Sequence, residues 1–74
     1  MSHVILNSNE KADYNCILAQ IPALQPGIYY FRDFFPGRSA SPRVGRRLCE
    51  EVVSGNLPRL RLAGKLAKEG YAVI

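Results

Sequence analysis

Ten lysines and arginines, six carboxylates, two cysteines and one histidine are the groups this 74-residue sequence offers for chemistry. Cys16 and Cys49 stand far apart with no CxxC spacing, and His3 is the single imidazole, so a zinc site lacks ligands. No glycine-rich phosphate loop precedes a helix, and no carboxylate pair recurs at one place. Cys49, just after Arg46 and Arg47, comes nearest to a nucleophile, since neighbouring cations lower a thiol pKa. It has no base nearby and lies at the edge of an apolar stripe, where a packed, inert sulfur is the simpler reading. A non-enzymatic chain without metal or cofactor is expected.

The cations carry more information. Residues 1–31 hold one basic residue against two acidic ones, whereas residues 32–74 hold nine against four. If charge decides the contact, the second half meets an anionic partner. Arg43, Arg46 and Arg47 stand at the start of a predicted helix, where positive charge opposes the helix dipole. A ligand is one reason for that arrangement. Local pairing is the other, because Arg46–Glu50 and Arg47–Glu51 are both i,i+4 pairs. Further on, Arg59 and Arg61 alternate with Leu60 and Leu62, and Lys65 and Lys68 follow in a loop. Four cations on a hairpin suit a phosphate backbone, an acidic protein groove, or an edge strand guarded against aggregation. Five aromatic residues, Tyr29, Tyr30, Phe31, Phe34 and Phe35, fall within seven positions. A core this small cannot absorb them all, so one or two rings, with Tyr29 and Tyr30 foremost, are expected at an interface.

The elements that position these groups follow from caps and periodicity. At 47% hydrophobic and 22% charged, the composition is that of one globular domain, 1–74, with residues 1–8 loose. Asn9 or Ser8 would cap a first helix near residues 10–21, burying Ala12, Cys16, Ile17 and Ile21, and Pro22 would stop it. Leu24 to Gly27 reads as a turn, Ile28 to Phe31 as a short strand, and 32–35 as one helical turn at most. Ser41 as N-cap with Pro42 at the first position opens a second helix near 42–54, with Val44, Leu48 and Val52 inward and Gly55 closing it. Residues 58–63 and 71–74 would pair as an antiparallel hairpin with Lys65 and Lys68 at its tip. Helix, short strand, short helix, helix and hairpin make a small α+β, winged-helix-like domain with the hairpin as wing. Both cysteines are expected as free thiols facing the core. The apolar run Val4–Leu6 is too short for a signal or a membrane span, so a cytoplasmic monomer is expected.

Two stretches read together resemble a known pattern. Leu24-Gln25-Pro26-Gly27-Ile28-Tyr29-Tyr30-Phe31-Arg32-Asp33-Phe34-Phe35-Pro36-Gly37 resembles an LPxGxxFxLxDLFPG signature. Val44-Gly45-Arg46-Arg47-Leu48, with Val52, Gly55-Asn56-Leu57-Pro58 and Gly64-Lys65, resembles its LGRxF…V…GxIPN…GK continuation. Both belong to a family of short bacterial and phage proteins of winged-helix-like appearance. The chain departs from it in lacking a tryptophan-bearing insertion between Gly37 and Ser41, and in having Leu48 where phenylalanine is usual. The resemblance implies a fold and little about function.

In size and charge the chain is also similar to small phage-encoded proteins that bind host RNA polymerase and redirect transcription. That likeness implies a non-enzymatic regulator of bacterial RNA polymerase, acting in the host cytoplasm with its basic face near nucleic acid. Direct duplex binding through Arg43, Arg46, Arg47 and the wing residues Arg59, Arg61, Lys65 and Lys68 is the rival expectation. A partner-capping module unrelated to transcription is the third.

Overall fold

The clearest start signal in the sequence holds. Ser41 accepts the Arg43 amide at 3.2 Å, Pro42 opens α2 (Pro42–Val53), and Val44, Leu48 and Val52 are buried at one-turn spacing. The helix stops on Gly55, whose φ of 83° is open to glycine at little cost. Its amide donates to the Val52 carbonyl at 3.1 Å while that of Asn56 donates to Glu51 at 3.0 Å, the paired bonds of a Schellman ending.

The computed structural model describes residues 4–74, the side chain of Ala67 excepted. Its α+β architecture sets two α-helices against a three-stranded antiparallel sheet in the order β1-β3-β2. The strands are β1 (Gly27–Tyr29), β2 (Leu60–Leu62) and β3 (Tyr71–Val73). The hairpin forms as expected, with Leu60 opposite Val73 and Leu62 opposite Tyr71. Its central strand also takes β1 on the other edge, Gly27 opposite Val73 and Tyr29 opposite Tyr71. Between β1 and α2 the expected single turn is a 3-10 turn, Phe31–Phe34, and a second, Ala67–Glu69, lies in the hairpin loop.

The first helix differs from expectation. α1 spans Ser8–Gln20, and its cap is Asn7 rather than Ser8 or Asn9. The Asn7 side chain accepts the Glu10 amide at 2.8 Å, and the Glu10 carboxylate accepts the Asn7 amide at 3.0 Å, a reciprocal capping box. This start turns Ile17 and Ile21 inward but leaves Ala12 and Cys16 exposed; Glu10 takes an inward position instead. Cys16 is therefore an exposed thiol, not a core one, and Cys49 is a free thiol half-buried beside the stripe of α2. A 3-10 turn at Ile21–Ala23, carrying Pro22, ends the helix. Of the segment expected to be loose, residues 1–8, the described part buries Leu6 and uses Asn7 as the helix cap. Residues 1–3, His3 among them, lie outside the described residues.

The core joins Ile17 and Ile21 of the first helical unit, Val44, Leu48 and Val52 of α2, and Leu60, Tyr71 and Val73 of the sheet. Phe34 and Phe35 close it from the 3-10 turn. Tyr71 is 1% exposed, and burial, with Cys49 beside it, pushes its phenol up to about 12. Alternation along the strands sends Ile28, Ala72 and Arg61 to the opposite face, where register sets them in one row.

Candidate binding surface

Two surfaces hold the residues expected to bind, and the first is α2. Arg43 donates through Nε to Glu10 at 3.4 Å and through Nη2 to the Ile5 carbonyl. Arg47 donates through Nε to Glu51 at 3.0 Å and through Nη1 to the Val4 carbonyl at 3.1 Å, and its guanidinium stands 5.7 Å from the Tyr14 ring centre. Of the two local pairs open to the sequence, Arg47–Glu51 thus forms as a salt bridge. Both arginines hold the segment before α1 against α2. Arg46, on the outward side, is exposed and makes none of these bonds.

Glu10 is the hub of this junction. It is 8% exposed, and Ser41 donates its hydroxyl to it at 2.8 Å. The Asn7 amide, then the Ser41 hydroxyl, then Arg43 hold its carboxyl below its ordinary value, against the opposing effect of burial. A buried glutamate with this donor set joins the caps of both helices. A glutamate three residues after an asparagine was a legible capping box.

The second surface is the outer face of the sheet with the cleft at its end. Ile28, 53% exposed, shares its row with Ala72 and Arg61, and Ile74, just past the end of β3, is 56% exposed. Tyr30, 37% exposed, follows β1 and forms with Phe31, Arg32 and Lys68 a cleft of about 280 Å³. The Arg32 guanidinium lies 5.0 Å from the Tyr30 ring centre. Asp33 accepts the Tyr30 amide at 2.8 Å and fixes the start of the 3-10 turn. Beneath the ring sits Gly70, with φ of 97°; a Cβ there would stand 3.1 Å from the Tyr29 carbonyl oxygen and 3.2 Å from the Tyr30 ring. On the far side of Phe31 and Arg32 a smaller cleft of about 160 Å³ reaches Arg38, which is paired with Asp13 at 2.8 Å.

The expected site residues therefore divide. Tyr29 packs on the core and donates its hydroxyl to the Gln25 carbonyl at 2.8 Å, whereas Tyr30 is at the surface. Arg59 turns back from the hairpin and donates to the Ile21 and Leu24 carbonyls at 3.0 and 3.2 Å, holding the end of the first helical unit against β2. Arg61, Lys65 and Lys68 remain exposed. In the hairpin loop the Glu69 carboxylate accepts the Lys65 and Leu66 amides at 2.9 and 3.0 Å, so the loop is shaped while both ammonium groups stay outside. Arg32 and Phe31 were not singled out by sequence; their signal was adjacency to Tyr30.

Among the described residues no group of three or more His, Cys, Asp or Glu could hold a metal ion, and no helix is long and apolar enough to cross a membrane. No protein-family profile matches the chain, and neither a curated protein nor a solved structure is similar enough to count as a match.

Proposed function

We propose that the chain is a non-enzymatic, winged-helix-like transcription regulator that binds bacterial RNA polymerase. The order of helix, strand, short turn, helix and hairpin supports the fold reading, with β1 laid along β3 at the root of the wing. The observation that carries the choice of partner is the state of the arginines. In a duplex-reading winged helix the second helix would present its first turns to the major groove. Here Arg43 and Arg47 of those turns, and Arg59 of the wing, donate to acceptors within the chain. That leaves an exposed surface in which cations are interleaved with isoleucine and tyrosine, the composition of a protein interface.

The duplex reading draws on one specific observation. Arg46 on α2 and Arg61, Lys65 and Lys68 on the hairpin are all exposed, and each phosphate contact would add a counterion-release increment. Affinity for purified RNA polymerase and for random duplex DNA, each at two salt concentrations, separates the readings. Measurable polymerase binding with weak duplex binding is expected. Tight duplex binding with a steep salt slope and no affinity for polymerase would install the duplex reading instead.

A further inference from the structure

We infer that the outer face of the sheet, from Ile28 through Ala72 and Arg61 to the cleft at Tyr30, docks an acidic segment of a protein partner that carries an apolar side chain. The inference deepens the protein-binding reading above, on which it rests, and names the surface and the chemistry of what it takes.

Charge complementarity argues for the acidic character. Arg61 stands in the row and Arg32 and Lys68 line the cleft beside it, all three exposed, and Lys65 is exposed in the hairpin loop. The two carboxylates in the same region, Asp33 and Glu69, each accept backbone amides. Those amides orient the two acids along their own loops, so the cations stay available to carboxylates from outside. Partly desolvated beside Ile28 and Tyr30, a carboxylate pairs with them more strongly than at an open surface.

The apolar requirement comes from what lies between the charges. Ile28, Ala72 and Ile74 offer no hydrogen-bonding side chain, and two of the three are more than half exposed. Covering an exposed isoleucine favours an aliphatic or aromatic side chain. The same geometry disfavours a nucleobase. One face of the Tyr30 ring is already taken by Arg32 at 5.0 Å, so a base has at most the other face to stack on.

Two measurements test this. In the first, the native chain and its variants Ile28→Asp, Ile28→Thr, Lys68→Glu and Arg61→Glu are compared with Arg46→Glu for affinity to purified RNA polymerase. Threonine keeps the β-branch at position 28, so its effect reads the lost apolar contact rather than a lost strand. Ile28→Asp is expected to weaken binding by about tenfold or more and Ile28→Thr by several-fold, because interface energy concentrates on central residues. Each charge reversal on the sheet should cost severalfold, with Arg46→Glu within about twofold of native. A loss confined to Arg46→Glu would overturn the inference while leaving polymerase binding intact.

If the native chain does not bind polymerase at all, the reading above fails and the second measurement decides the surface. The methyl resonances of Ile28, Ala72 and Ile74 are followed by NMR during titration with three probes. These are a short peptide of alternating glutamates and leucines, the same peptide with serine for leucine, and a single-stranded oligonucleotide. Shifts at these methyls with the first peptide, smaller with the second, are expected. Unmoved methyls with the leucine peptide, or movement caused by the oligonucleotide, would overturn the inference.

Discussion

The surface of α2 and the outer face of the sheet are both basic, and they differ in what their cations touch. On α2, Arg43 and Arg47 reach back to carbonyls of residues 4 and 5 and to Glu10 and Glu51, so their positive charge fastens one piece of chain to another. On the sheet, Arg61 and Lys68 come from separate stretches and remain exposed beside apolar side chains. Dense charge in a sequence thus marks a junction here, whereas the proposed binding surface draws on dispersed charge that the fold gathers. A guanidinium with several fixed acceptors within the chain has fewer donors left for a ligand.

The largest break in this comparison comes from the floor of the sheet surface. Gly70→Ala places a Cβ against the Tyr29 carbonyl at a φ of 97°, so a loss of about 2 kcal/mol or more is expected by urea denaturation. Next, Arg59 and Arg61 stand two residues apart with opposite duties. Arg59→Ala removes two charge-assisted bonds and leaves the Ile21 and Leu24 carbonyls without them, for an expected loss of about 2 kcal/mol. Arg61→Ala should stay within about 0.5 kcal/mol, and equal losses in the two would erase the distinction. On α2, Arg47→Ala should cost about 1 kcal/mol and Arg46→Ala almost nothing, read by the same denaturation.

The last prediction is read through pH. Glu10 has a carboxyl pKa lowered in the folded chain, so its contribution is present in full above the unfolded value of 4.5 and is lost as pH falls through the folded value. Stability measured down the acid limb should therefore fall less steeply in Glu10→Gln than in the native chain. An unchanged slope would remove Glu10 from the junction.

α2 was legible because every signal for it is local: a serine and a proline at one end, three apolar residues a turn apart, and a glycine at the other. The existence of α1 was legible too, but its inward face was not, because that face includes Glu10, whose partners Ser41 and Arg43 lie some thirty residues on. Without those partners a glutamate reads as solvent-facing, and Ala12 and Cys16 read as core. The same limit governs the surfaces. The oddity of three arginines opening a helix is visible in the sequence, but their acceptors are supplied by tertiary contact. Tyr30 was singled out as a candidate interface ring, yet its meeting with Lys68 depends on β1 pairing with β3 across most of the chain.

That pairing also orders events in time. β3 is the strand that both others need, and it is the last of the three to leave a ribosome. β1 is synthesised early and has no sheet partner until residues 71–73 emerge, so α1 and α2 can meet well before any ladder closes. Closing a loop that long is entropically slow compared with forming the helices. The nascent chain should therefore pass through a helical pair whose core still lacks Tyr71 and Val73.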